Sequence, residues 1–114
     1  MANTIANLIQ PIGNTLLMSV GTGSTSSSLT VTTPDAIVGG VLISNLTANN
    51  TTYVSISSSV GSVTAPTTSV SQFVVPVLGG TQVTVNATPN PQASTVWVNA
   101  IAVGSGSIAI TPLA

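Results

Sequence analysis

Every run of apolar and β-branched residues in this chain is interrupted by Gly, Pro, Asn or Ser before it is long enough for a helix to bury a face. What periodicity remains has a period of two. Val83, Val85 and Ala87 alternate with Gln82, Thr84, Asn86 and Thr88, as in a strand with one wet face. Ile108 and Ile110 alternate with Ser107 and Thr111 in the same way. Eight such runs read as strands, at residues 15–20, 28–32, 38–46, 52–57, 72–78, 82–88, 95–103 and 107–111. The pattern predicts an all-β fold, a single antiparallel β-sandwich of jelly-roll type.

Run 95–103 is apolar on both faces, with Val96, Val98 and Ala100 on one and Trp97, Ile101 and Val103 on the other. Such a strand is expected to be central and covered twice, or covered by a neighbouring subunit. Pro76 within run 72–78 predicts an edge position or a bulge. Gly79-Gly80 reads as a two-residue hairpin, Asn49-Asn50 as a turn with positive φ, Gly104-Ser105-Gly106 as a slightly longer hairpin and Pro34-Asp35 as the start of a tight turn. These turns predict that consecutive strands pair with one another. Two segments stand apart. Residues 1–13 carry Ile5, Leu8, Ile9 and Ile12 around Pro11 without clean alternation, which predicts an N-terminal arm ahead of a sandwich domain at 14–114. Residues 58–71 read as a long loop, a feature that in compact domains is often functional.

Composition narrows the chemistry. The chain has no Lys, Arg, His or Cys, and Asp35 is its one acidic residue. General acid–base catalysis, metal ligation and nucleic-acid binding each need side chains that this set does not supply. No enzyme activity, metal, cofactor, nucleic acid or membrane is therefore expected. The Ser and Thr hydroxyls have no base to activate them, and Gly21-Thr22-Gly23 is followed by neither Lys nor a helix, as a phosphate loop would require. Asp35, in Pro34-Asp35-Ala36, reads as a turn residue that caps its own backbone. The start lacks the positive region of a secretory signal, so the glycosylation triplets at Asn45, Asn49, Asn50 and Asn86 are expected to go unused. Trp97 and Tyr53 could stack on a sugar, but the place of Trp97 in an apolar strand favours packing. The run Leu29-Thr30-Val31-Thr32-Thr33 is too short for the flat threonine array of an ice-binding face. The polar surface rests on 34 Ser and Thr residues, which do not repel a second molecule, so association with copies or partners is expected.

Met1-Ala2-Asn3-Thr4-Ile5-Ala6-Asn7, with Ile9-Gln10-Pro11-Ile12-Gly13-Asn14-Thr15, resembles the start of small tailed-phage virion proteins. Ile43-Ser44-Asn45, Tyr53-Val54 and the ending Asn99-Ala100-Ile101-Ala102-Val103-Gly104-Ser105-Gly106-Ser107 are similar to the strands that follow in that group. The Arg after the second aromatic strand and the acidic C-terminus of the pattern are absent here. The resemblance implies a decoration (cement) protein on the outer surface of a phage head. It would be trimeric, bound to the major capsid protein, and would oppose internal DNA pressure by apolar and neutral hydrogen-bond contacts. Its expected partner contacts are Ile5, Leu8, Ile9 and Ile12 of the arm, Val60 and Val63 of the long loop, and Trp97. The alternative is a head fibre or tail component that binds a host receptor or glycan.

Overall fold

A computed structural model describes residues 11–31, 38–64, 74–86 and 95–113. Among them are eight strands and no helix: β1 (Leu16–Val20), β2 (Thr25–Thr30), β3 (Gly40–Asn45), β4 (Thr52–Ser57), β5 (Val75–Val77), β6 (Gln82–Asn86), β7 (Thr95–Ala102) and β8 (Gly106–Leu113). They form two four-stranded antiparallel sheets, β1-β8-β3-β6 and β2-β7-β4-β5.

The pairing is nested: β1 with β8, β2 with β7, β3 with β6 and β4 with β5. It is the pairing of one long antiparallel ribbon that folds back on itself between β4 and β5 and whose successive strand pairs fall alternately in the two sheets. This corrects the expectation that the tight turns are hairpins. Gly79-Gly80 does make a tight turn, in which Thr81 N donates to Leu78 O at 3.1 Å and Gly80 has φ of 78°. It joins β5 in one sheet to β6 in the other, however. Asn49, at φ 60°, lies between β3 and β4, and residues 103–105 lie between β7 and β8. These two turns also cross between sheets. Only β4 and β5 are neighbours both in sequence and in a sheet.

Alternation selects the core. Met18, Val20, Val41, Ile43, Ile108 and Ile110 from the first sheet meet Leu29, Val54, Val77, Val96, Val98, Ala100 and Ala102 from the second. Ile43, Ile108 and Ile110 are fully buried; a side chain of that size contributes roughly 1.5–3 kcal/mol on leaving water. β7 is central in its sheet, as its two apolar faces suggested. β5 is an edge strand of three residues, with Pro76 on the rim where a missing N–H is tolerated. β2 begins three residues before the predicted start because Thr25, Ser26 and Ser27 carry no apolar signal, yet they pair with Ala100, Asn99 and Val98.

β8 runs to Leu113, through Pro112. The proline is accommodated because its polar side faces beyond the start of β1, where its carbonyl accepts from Ile12 N at 3.0 Å. Pro11 bridges to Leu113, and Ile12 packs half-buried against the core. The arm boundary drawn at residue 13 therefore falls inside a clasp that belongs to the sandwich. A chain lacking residues 1–13 is expected to be less stable than one lacking residues 1–10 by about 1–2 kcal/mol, from lost apolar burial and one or two hydrogen bonds. Parallel urea titrations of the two truncations measure the difference, and equal midpoints would show that the clasp contributes nothing.

Candidate interaction surface

The loops between β3 and β4 (residues 46–51), β5 and β6 (78–81) and β7 and β8 (103–105) lie together at one end of the sandwich, held by two buried amides. Asn45 follows Val41 and Ile43 in the inward register of β3 and is 2% exposed. Its Nδ2 donates to Asn50 O at 2.6 Å and to Val77 O at 2.9 Å, which uses both amide protons. Its Oδ1 accepts from Thr47 N at 3.2 Å, and its backbone exchanges bonds with Thr81 O and Gly80 N. Asn50 is 4% exposed, and its Nδ2 donates to Gly104 O at 3.0 Å. Its Oδ1 is buried and meets no donor among the described residues, a cost that the packing of the loop must outweigh. Ser107 N donates to Thr47 Oγ1 at 3.1 Å. Two glycines admit the 46–51 loop: its backbone lies against Gly79, and the side chains of Thr47 and Asn50 lie against Gly106.

On this fixed frame three apolar side chains point to solvent. Leu46 is 58% exposed, Leu78 60% and Val103 58%. Each is the first residue after its strand. Thr47 and Asn50 turn their polar side chains toward the neighbouring loops, so this end of the domain displays the three apolar tips beside the exposed Asn49, Thr81 and Ser105.

A second polar cluster holds the long loop. Asn99 stands on the outward face of β7 but is 1% exposed, because residues 59–63 cross over it. Its Oδ1 accepts from Ser26 Oγ at 2.7 Å and Gly61 N at 3.1 Å, and its Nδ2 donates to Ser57 Oγ at 2.8 Å. Val63 N donates to Ser24 Oγ at 2.9 Å. The loop is thus a strap that runs from β4 across β7 to β2.

The residues expected to contact a partner are placed as follows. Val60 tops the strap, 64% exposed, whereas Val63 is 2% exposed and is spent on its own domain. Ile12 is half-buried against the core. Trp97 is half-buried on the outward face of β7, opposite Ser28 and Ser57. Ile5, Leu8, Ile9 and Asp35 lie outside the described residues, as does the loop beyond Thr64. Tyr53 pairs with Ile101 while Ser57 pairs with Trp97, so the two rings are four residues apart along one strand pair. That separation of about 13 Å is too long for both to stack on one sugar ring. Among the described residues no group of three or more His, Cys, Asp or Glu is present.

Sequence reading gave Asn45, Asn50, Asn99, Leu46, Leu78 and Val103 no place in a site, taking them as turn or strand residues. The signal for the first and third was there: an amide at an inward position of an apolar strand has to find partners, and one flanked by apolar residues on β7 has to be covered. Comparison with family models, with curated proteins and with solved structures finds no match to this chain.

Proposed function

We propose that the chain is a structural subunit of a virion, a decoration protein on a phage head that docks through uncharged contacts. Leu46, Leu78 and Val103, displayed together on rigid loops of a chain without a basic side chain, are the observation that carries this reading. An apolar tip on a preorganised frame gains from leaving water without first having to order a loop. A jelly roll fits the strand orders β1-β8-β3-β6 and β2-β7-β4-β5 and the nested ribbon pairing. That architecture serves capsid and lectin domains alike, so the surface and not the fold carries the functional argument. In this reading the loop end meets the major capsid protein, and copies associate, with the trimer taken from the sequence resemblance.

Rebinding to stripped phage particles tests it. Ionic contacts weaken as the Debye length falls from about 10 Å at 0.1 M salt to about 3 Å at 1 M, whereas apolar contacts do not. Affinity is expected to hold across that range and to fall in low urea or on cooling. A double change, Leu46→Ser with Leu78→Ser, is expected to weaken binding at least roughly tenfold, since about 1.4 kcal/mol of lost burial suffices for that. A tenfold loss on adding salt would overturn the uncharged mechanism. Binding to host cells or glycans, with none to particles, would favour the receptor-binding alternative.

A further inference from the structure

Sheets end in edges, and a protein without lysine cannot guard them with that side chain. β5 is guarded by its length of three residues and by Pro76. On β1, the carbonyl of Ser19 already accepts from Thr25 Oγ1 at 3.3 Å. β2 is met by the strap at Ser24 and Ser26, and its inward Leu29 is already buried. Among the described residues β6 has no such protection. It is a five-residue edge strand without proline, and among the described residues only β3 pairs with it.

Thr81 O accepts from Asn45 N, so the backbone groups of residue 81 face β3. Alternation then turns those of Val83 and Val85 toward β3 and those of Gln82, Thr84 and Asn86 toward the open edge. We infer that β6 is a self-pairing edge: it takes β6 of a second copy, antiparallel, about a two-fold axis through Thr84. Three observations favour this occupant.

In that register Gln82 faces Asn86 of the second copy and Thr84 faces Thr84. These are the residues whose N–H and C=O groups point outward, and each such pair exchanges both bonds. On the inward face Val83 meets Val85 of the second copy and Val85 meets Val83. Both are only half-buried in the single chain, so the valine stripe continues and completes its burial. Finally, neither strand carries a charge to repel its twin. The contact rests on the reading that copies associate, and it names where two of them meet. A strand pair of this length is smaller than the roughly 1,200 Å² of a stable interface, so the population of pairs rises with concentration.

The test uses the full chain. Light scattering across a concentration series is expected to show multiples of two chains growing in. Thr84→Lys is expected to abolish them while leaving thermal unfolding unchanged, because Thr84 is exposed, its backbone bonds point away from β3, and two lysines would stand directly opposite. Because the chain lacks cysteine, Thr84→Cys reports this contact alone and is expected to cross-link on oxidation, whereas Ser28→Cys on exposed β2 is not. Equal cross-linking at both positions, or an oligomer indifferent to Thr84→Lys, overturns the β6 contact and leaves association standing. A monomer at every concentration overturns both.

Discussion

Replacing Asn45 by Ala is expected to lower stability by about 3 kcal/mol, because two buried carbonyls lose their donor at a cost of roughly 1–3 kcal/mol each. Val77 O and Asn50 O are the carbonyls, at 2.9 and 2.6 Å from Nδ2. Asn50 O keeps a weaker contact with Thr52 Oγ1 at 3.4 Å, which places the sum below the upper limit. Against a total of about 5–15 kcal/mol for a typical domain this is a large share, and it corresponds to a fall in Tm of roughly 12 °C. Thermal unfolding followed by circular dichroism measures it, and a loss under about 1 kcal/mol would mean that the loops hold without the amide. Asn45→Asp sharpens the test. It keeps the shape but turns an oxygen toward those carbonyls, and burial with facing carbonyls raises the carboxyl above its ordinary value near 3.9. An acid whose folded value is raised holds its proton more tightly in the native state. Stability of this variant is therefore greatest below about pH 4 and is lost as pH rises through the folded value. A flat profile would show that the new carboxyl is hydrated and the site open.

Gly79→Ala is expected to cost about 3 kcal/mol, whereas Gly80→Ala costs about 1 kcal/mol. A Cβ at Gly79 would sit 2.5 Å from Asn49 N and 2.6 Å from Thr47 O, backbone atoms that cannot swing aside. At Gly80 there is open space, and the penalty is only that of placing a side chain at φ 78°. The order of the two glycines is the decisive outcome. If Gly80→Ala proved the more damaging in urea titrations, the close contact between the 46–51 loop and the 78–81 turn would be wrong. If the proposed docking to a particle holds, Gly79→Ala is also expected to weaken it, because the change disturbs the frame beneath Leu46 and Leu78 without touching either side chain.

The strands were legible in the sequence, and their partners were not. Alternation in 82–86 and the inward Ile108 and Ile110 are local consequences of a half-buried pleat, so they survive in a single sequence. Gly79-Gly80 could be read as a tight turn for the same reason. Whether that turn folds a strand back beside its neighbour or over into the facing sheet depends on burial across the whole domain, and the two glycines are identical in either case. The candidate surface was obscured differently. Leu46, Leu78 and Val103 each close a strand, and a pattern search assigns them to it; only the buried Asn45 and Asn50 turn those strand ends outward. Val63 illustrates the reverse. In a loop of small polar residues it reads as a contact for a partner, but the strap it belongs to crosses its own sheet.

The nested ribbon also has a consequence in time. β8 lies between β1 and β3, and β7 lies between β2 and β4, so each sheet is joined through one of the last two strands of the chain. On a ribosome, which delivers the N-terminal segments first, the second sheet cannot close until Ala102 has emerged, nor the first until Leu113 has. Until β8 arrives, β1 has no partner strand among those described and the β3–β6 pair lacks its second neighbour, so their apolar faces stay open, with one acidic side chain per copy to keep nascent chains apart. Closure must join Leu16 to Ile110, almost the full length of the polypeptide, and contacts of such separation put folding in the millisecond-to-second range. The order in which this polypeptide is synthesised thus runs against the order in which its sheets can be completed, and crowded synthesis of many copies exposes it to aggregation during that interval.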